Sequence, residues 1–242
     1  IFKFENNDWV QIHSTIIGEA SKDAFGSSIA INDSGSIVAI GGSDNDANGS
    51  NSGHARVYEN STATTSNYTS IPDANFEQYL VQNNIDSDGT IDGQVLTADI
   101  VNVTQVDVSQ KNITDLTGIQ NFTSLTYLNA FDNNITSIDV SKNILLENLY
   151  LSDNQLTTID ITQNTKLIEF GIYQNQLTSV DISKNTELTH LFVALNQLTN
   201  IDISNNTKLK DVRCEANQLS SLDVSLLSDL ELLWIFNNKI TQ

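Results

Sequence analysis

The sequence predicts a solenoid dominated by β-structure, because one unit of 21 residues is repeated along nearly half of the chain. Each full copy has apolar residues at positions 1, 4, 6, 11, 14 and 16, and an asparagine at position 9. A unit this short cannot bury its apolar side chains alone, so successive copies must stack into one core. The copies start at Leu125, Leu146, Leu167, Leu188, Leu209 and Leu230.

Inside this period the pattern L-x-x-L-x-L-x-x-N-x-L is that of a leucine-rich repeat, in which each coil contributes one short strand to a parallel sheet. We therefore expect an α/β solenoid whose parallel sheet lies on the concave face. The coil from Val103 is one residue longer than the others, and the copy from Leu230 is truncated. Residues 103–242 thus contain six repeats and a truncated seventh.

The segment before the repeats has the features of a cap. Pro72 at the first helical position, an acidic first turn, and apolar residues Phe76, Tyr79 and Leu80 predict a helix followed by a loop. The end of a solenoid exposes its core and needs a cover. We assign residues 71–102 to an N-terminal cap, and the polar, aperiodic residues 60–70 to a linker.

Residues 1–59 predict a small antiparallel β-unit, either one sheet or one propeller blade. A lone blade has two bare edges, so we expect further blades upstream. The chain starts at Ile1 and contains no methionine, so we expect a processed form or a fragment. Turn residues separate four short strands at Trp9–Ile12, Ser28–Ile31, Ser36–Ile40 and His54–Tyr58.

Two resemblances follow from particular motifs. Gly18-Glu19-Ala20, Asp23–Ser28 and Gly53–Tyr58 make residues 1–59 similar to the FG-GAP-like repeats of bacterial surface proteins. From Ile71–Glu77 onward, with its repeated Asn-Gln-Leu-Thr, the chain resembles short-period leucine-rich repeat proteins of Bacteroidota-type bacteria. This resemblance implies an exported protein, extracellular or at the cell surface, with an adhesive or recognition role.

The composition excludes two classes of partner. With 30 Asp and Glu against 11 Lys and Arg, the net charge is −19 and the pI about 4.1. Such a chain repels nucleic acid phosphates and anionic membrane surfaces. No apolar run reaches the roughly 18 residues that a membrane span requires, so we expect no membrane insertion.

Sequence variation is concentrated in the columns that should point outward from the repeated strand, at positions 3, 5, 7 and 8. Variation confined to one face of a uniform repeat, with exposed aromatic residues, indicates a binding surface. We predict ligand binding or adhesion, with a protein or a glycan as the ligand. The candidate ligand-binding residues are Tyr127, Phe131, Tyr150, Tyr173, His190, Phe192, Arg213, Trp234 and Phe236.

Two alternatives remain open. The solenoid could be a stalk or a self-assembling fibre element, since bare edges at both ends favour head-to-tail self-association. A polysaccharide-active enzyme ranks third, because the sequence contains no nucleophile motif, zinc-ligand spacing or phosphate loop. His190 and Asp211 share a column on adjacent coils and could pair, but no nucleophile faces them, so we predict no enzyme activity.

Other columns have structural interpretations. Asparagines at positions 9 and 19 are expected to bond the backbone of neighbouring coils. Cys214, at position 6, is expected to be a small buried hydrophobe. The aspartates at position 15 either cap local turns or form a row of cation sites.

Two loops have part of a calcium-loop spacing. One contains Asp44, Asp46 and Asn48, and the other contains Asp86, Asp88 and Asp92. Both lack the glutamate at position 12, where Ala55 and Val95 stand instead, and Asx-rich turns form without metal. Calcium is the one cofactor that the sequence suggests, and metal-free turns are the alternative.

Overall fold

A computed structural model describes residues 2–5, 8–11, 24–31, 37–43, 54–59 and 68–240. The chain forms two compact units, Ile1–Ser66 and Asn67–Gln242. In the described ranges no helix has the length and apolar character needed to cross a membrane.

The N-terminal unit contains two antiparallel sheets. Strands β1 (Phe2–Glu5) and β2 (Asp8–Gln11) form a hairpin, and β3 (Phe25–Ile31), β4 (Ile37–Gly42) and β5 (His54–Glu59) form a three-stranded sheet. The expectation of a single four-stranded sheet is therefore wrong. The second strand pairs with the segment just before it, because a two-residue connection favours hairpin pairing. Membership of an FG-GAP-like repeat stays a prediction.

The second unit opens with a cap built from two strands and two helices. Strand β6 (Tyr68–Ser70) pairs with β7 (Gln94–Leu96), and helices α1 (Ala74–Gln82) and α2 (Thr97–Ile100) pack beside them. The prediction that Pro72 begins the helix is wrong. Asp73 is the N-cap, because its carboxylate accepts hydrogen bonds from the Asn75 and Phe76 amides, and the proline precedes it.

The cap also starts earlier than the sequence suggested. Tyr68–Ser70 lies within the predicted linker, yet it pairs with β7, and Thr69 is buried. The Thr69 hydroxyl contacts that of Thr97 at 2.9 Å and accepts a hydrogen bond from Asn121. These contacts hold a polar segment, which has no apolar periodicity of its own, against the first coil.

Seven coils follow, numbered 1 to 7 from Val103, Leu125, Leu146, Leu167, Leu188, Leu209 and Leu230. Their strands form one parallel sheet in chain order, and a 3₁₀ helix, Ile119–Asn121, lies in coil 1. The middle residue of each strand points into the core, and its two neighbours lie on the outer face, which we call the concave face. The strands are β8 (Gln105–Asp107), β9 (Tyr127–Asn129), β10 (Asn148–Tyr150), β11 (Glu169–Gly171), β12 (His190–Phe192), β13 (Asp211–Arg213) and β14 (Leu232–Trp234).

The core follows the predicted columns. Positions 1, 4, 6, 11 and 16 are buried in the interior coils except at Val224, whereas position 14 is half-buried except at Ile201. Cys214 lies in this core with no exposed surface, and burial raises the pKa of its thiol to about 11. The prediction of a small buried residue is confirmed.

The position-9 asparagines bind adjacent coils together, as predicted. The Asn154 side chain accepts a hydrogen bond from the Ile135 amide at 3.0 Å and donates to the carbonyls of Ala130 and Leu151 at 2.9 and 3.1 Å. Each coil is thereby bonded to the one before it. The same arrangement recurs at Asn133, Asn175, Asn196, Asn217 and Asn238.

The position-19 asparagines form a second ladder. The Asn164 side chain donates to the carbonyls of Val140 and Asn143 at 3.0 and 2.9 Å, and Asn185 repeats this one coil later. Both ladders satisfy backbone groups in a dry interior, where an unpaired group is costly. They are structural and take no part in a surface site.

Candidate functional site

The predicted ligand-binding residues lie where the repeat register placed them. Positions 3 and 5 flank the buried middle residue of each strand, so their side chains emerge on the concave face. Position 7 lies just beyond the strand. The parallel register pairs equivalent residues, so that Tyr150, Gly171, Phe192, Arg213 and Trp234 form one row across five strands.

The N-terminal half of this face consists of tyrosines paired with carboxylates. The Tyr150 hydroxyl donates a hydrogen bond to Glu169, and burial together with this carboxylate raises the pKa of Tyr150 to about 12. Burial and a hydrogen bond to Asp153 likewise raise the pKa of Tyr173 to about 12. Both phenols therefore stay neutral at physiological pH and can donate hydrogen bonds.

The rings on this half also contact each other. Tyr127 meets Tyr150 edge-on with centroids 5.8 Å apart, and Phe131 lies 6.3 Å from Tyr173. Such spacings fall in the range where aromatic pairs attract each other. The structure thus brings these four predicted residues together in two pairs on coils 2 to 4.

The C-terminal half is organised around Arg213. The centre of its guanidinium lies 4.9 Å from the ring centroids of both Phe192 and Trp234, and Nη2 is 2.8 Å from Asp211. The hydrogen bonds that Arg213 donates to Asp211 raise the pKa of Arg213, so the charge is permanent. Stacking on aromatic faces and fork-like pairing with a carboxylate are both properties of arginine.

His190 has a different partner from the one expected. Its Nδ1 lies 2.8 Å from the Thr189 hydroxyl and 3.9 Å from Glu169, whereas the Asp211 carboxylate is engaged by Arg213. The expected His190–Asp211 pair is therefore wrong, because an arginine two residues away on the same strand competes for that carboxylate. The remaining predicted residue, Phe236, is exposed and lies 6.2 Å from Trp234.

The concave face is acidic overall. Positions 3, 5, 7 and 8 of the seven coils contain one arginine, one histidine and six carboxylates. A cationic ligand group is therefore favoured over an anionic one. The carboxylates belong to Asp107, Asp132, Asp153, Glu169, Asp211 and Glu215.

In the second predicted calcium loop, the carboxylates of Asp86, Asp88 and Asp92 accept hydrogen bonds from amides of the loop itself. Asp86 is buried and accepts from the Asp88 amide, Asp88 accepts from Thr90, and Asp92 accepts from Gln94. Over the described ranges, no three acidic, histidine or cysteine side chains form a group that could hold a metal ion. Calcium binding by this loop stays a prediction. The first loop, with Asp44, Asp46 and Asn48, lies outside the described residues.

The position-15 aspartates cap turns. Each accepts a hydrogen bond from the amide two residues later, as in Asp139 with Ser141 and Asp181 with Ser183, both at 2.9 Å. These bonds lower the pKa of both carboxyls. The local interpretation of this column is therefore confirmed.

The sequence did not predict the contacts of two acidic residues in the cap, Glu77 and Asp73. The buried Glu77 accepts hydrogen bonds from the amides of Asp92, Gly93 and Gln94 at 2.8–3.0 Å. Asp73 connects the helix to coil 1 through the amides of Thr114 and Asp115. Neither has a repeated counterpart, and a glutamate in a first turn ordinarily signals only a favourable helix start.

Comparison with solved structures establishes the fold. The chain resembles the functional domain of InlJ from Listeria monocytogenes, described as including a cysteine ladder, with 32% identity and a TM-score of 0.62 over 72% of this chain and 44% of that one. The fold is that of a leucine-rich repeat solenoid. This chain has a single cysteine and therefore no cysteine ladder. The two ladders that connect its coils consist of the asparagines at positions 9 and 19.

Two further Listeria monocytogenes structures share the fold at lower identity. Internalin InlF matches with 22% identity and a TM-score of 0.58 over 74% of this chain and 62% of that one. Internalin C2 matches with 23% identity and a TM-score of 0.50 over 71% and 87%. The chain spans less than two thirds of the first two structures. No protein-family model matches the sequence, and no curated protein matches it significantly.

Proposed function

We propose that this chain is an extracellular binding module that recognises a protein partner through the concave face. The observation that carries the proposal is the contrast between columns. Core positions repeat the same residue types, whereas positions 3, 5 and 7 change in every coil and carry aromatic and charged groups that the core does not need. The leucine-rich repeat solenoid fold shared with InlJ supports a binding role, because stacked repeats present an extended concave surface.

The chemistry of the face supports a protein ligand with cationic and apolar groups. Tyrosine and tryptophan supply large contact areas at a low entropic cost, and they dominate the residues that contribute most to protein interfaces. The Bacteroidota-type resemblance and the acidic composition support export to the cell surface. A glycan is the second candidate, favoured by the paired rings of Tyr127 and Tyr150, since flat rings also stack on sugar faces.

The test uses the full chain on arrays of extracellular proteins and of glycans. Replacing Tyr150, Tyr173 and Phe192 together with serine should weaken binding to a protein hit at least tenfold, a loss of about 1.4 kcal/mol or more. The matched control replaces Ile144 and Ile168, which are exposed apolar residues outside the concave columns, with serine. The control should bind as the wild type does.

The outcomes separate the alternatives. Hits confined to the glycan array select the glycan candidate. A triple variant that keeps its affinity contradicts binding through the concave face and leaves the stalk hypothesis. Head-to-tail self-association, which the fibre hypothesis requires, predicts a concentration-dependent sedimentation coefficient. The enzyme hypothesis predicts that His190→Ala is more damaging than the triple change.

A further inference from the structure

One arrangement of side chains occurs twice on the concave face. In coil 6, Arg213 at position 5 lies between two aromatic rings from the neighbouring coils, and an acid at position 3 holds its guanidinium. In this coil the arrangement of one acid and two rings binds the guanidinium of Arg213. The components are an acid, two flanking rings and a planar cation.

Coil 4 has the same arrangement with one component exchanged. Glu169 stands at position 3, and the sheet register places Tyr150 and Phe192 on either side of position 5. Position 5 itself is Gly171, which has no side chain where coil 6 has arginine. Phe192 is shared, since it flanks position 5 of both coils.

The two rings stand at contact distance from the glycine. A Cβ on Gly171 would lie 3.1 Å from Cδ1 of Tyr150 and 3.7 Å from Cδ2 of Phe192. The tighter contact is with a ring that must give by a few tenths of an ångström, and the Ser152 hydroxyl lies 3.6 Å from the same Cβ position. Gly171 is buried beneath these side chains, so a planar group entering from the solvent must first displace the Tyr150 ring, and it is then bordered by a ring on each side.

The acid of coil 4 has capacity for a further partner. Glu169 accepts the Tyr150 hydroxyl and lies 3.9 Å from Nδ1 of His190, and its side chain is 32% exposed. A carboxylate offers about four acceptor positions, enough for a phenol and a bidentate guanidinium together.

Resting on the proposed function, we infer that Glu169, Tyr150 and Phe192 form a site above Gly171 for an arginine side chain of the partner protein. Lysine fits less well, because an ammonium group is a strongly hydrated point charge that neither stacks as a plane nor pairs bidentately. The site gives the concave face a chemical specificity that its aromatic content alone does not.

The experiment titrates the full chain with the peptide acetyl-Gly-Arg-Gly-amide and follows amide NMR shifts. Citrulline and lysine versions of the peptide are the comparison, because citrulline keeps the shape of arginine and removes its charge. Saturable shifts centred on Gly171 are expected, with affinity for the arginine peptide at least about tenfold above that for citrulline. Equal affinities, or shifts centred elsewhere, overturn the inference.

Two variants fill or weaken the site. Gly171→Arg should supply the guanidinium internally, as coil 6 does, and abolish the response to the peptide. Thr186→Arg adds the same charge at an exposed position outside the concave columns and should leave the response unchanged. Glu169→Gln, a nearly isosteric change, should weaken binding about tenfold or more, and it keeps the test valid if Gly171→Arg fails to fold.

The reverse variant is the sharpest prediction. Arg213→Gly removes the internal guanidinium from coil 6 and should raise the number of arginine peptides bound from one to two. An unchanged stoichiometry contradicts the equivalence of the two coils. If protein partners bind through the concave face but no arginine peptide does, only this inference fails. If the triple serine variant keeps its partner, the proposed function fails whatever the peptides do.

Discussion

Coil 1 and coil 7 differ in burial although both are built on the same repeat. At the N-terminal end, Phe76 and Leu80 of the cap are fully buried, and the Phe76 ring lies 6.0 Å from that of Phe122 in coil 1. In coil 7, Leu233 and Ile235 hold core positions but are only half-buried. Their counterparts Leu191 and Val193 in coil 5 are fully buried.

This contrast shows that burial depends on the neighbouring coil as well as on the column. A residue in a core column is shielded from one side by its own coil and from the other by the next layer. The cap supplies that layer for coil 1 with side chains that the repeat does not contain. The stability of each end should therefore depend on different residues.

The largest expected effect is that of Phe76→Ala. Removing a fully buried aromatic ring should lower the free energy of unfolding by about 3–5 kcal/mol, because a cavity adds to the lost transfer energy. Urea denaturation measures this loss.

The matched pair Leu191→Ala and Leu233→Ala compares the same core column in coils 5 and 7. The interior change should cost about 2–5 kcal/mol and the terminal one less than half as much. Equal losses would show that coil 7 is as well shielded as coil 5.

Glu77→Gln should have the next largest effect. The buried carboxylate accepts from three consecutive amides, and bonds to a charged group contribute about 1.5–3 kcal/mol, so we expect a loss in that range. Faster hydrogen exchange at Gly93 and Gln94 should accompany it. The control is Glu187→Gln, whose exposed ion pair with Lys208 should contribute less than about 1 kcal/mol. Similar losses in both variants would contradict an anchoring role for Glu77.

Glu77 and Asp73 also show which features could not be predicted from the sequence. The period predicted the parallel sheet, its register and the exposed row from Tyr150 to Trp234, because stacking makes each of these periodic. Glu77 and Asp73 act once, on backbone groups up to 42 residues away, so no repetition signals them. The stacking of Arg213 on two rings depends on side-chain conformations in three coils, which column positions alone do not define.

Asp73 gives the solenoid a dependence on pH at its capped end. Burial acts to raise the pKa of the Asp73 carboxyl, but hydrogen bonds from Thr114, Phe76 and Asp115 outweigh it and lower the pKa below its usual value. The ionised form is therefore favoured by folding. Its contribution is complete above the unfolded pKa of about 4 and is lost as the pH falls through the lower folded value.

Because Asp73 is partly exposed and solvent screens its charge, Asp73→Asn should cost about 0.5–1 kcal/mol at pH 7 and less at pH 3. Asparagine keeps the N-cap, but its amide nitrogen cannot accept from Thr114 and Asp115. Urea denaturation across this pH range measures the difference. Asp139→Asn is the comparison outside the cap, since that carboxyl also has a lowered pKa through Ser141. A loss independent of pH would mean that charge plays no part in the Asp73 contacts.

The smallest expected effect is a gain. Asp86 is 3% exposed, and one of its oxygens has no hydrogen-bond partner among the described residues. Burial raises the pKa of its carboxyl, and the charges of Asp88, Glu77 and Asp99 add to the rise. A raised pKa means that the ionised form disfavours folding above that pKa, so Asp86→Asn should raise the Tm by about 1–3 °C in chelator at pH 7.

Comparing Asp86→Asn with the wild type in calcium tests whether the loop binds the ion. If Asp86, Asp88 and Asp92 bind the ion, the wild type gains about 2.7 kcal/mol at a hundredfold excess over the Kd, and Asp86→Asn loses most of that gain. The order of the two Tm values then reverses between chelator and calcium. An Asx turn predicts the same order in both buffers, because no ion compensates the buried charge. The direction of the Tm difference, rather than its size, therefore decides whether Asp86 is a ligand or an uncompensated acid of the cap.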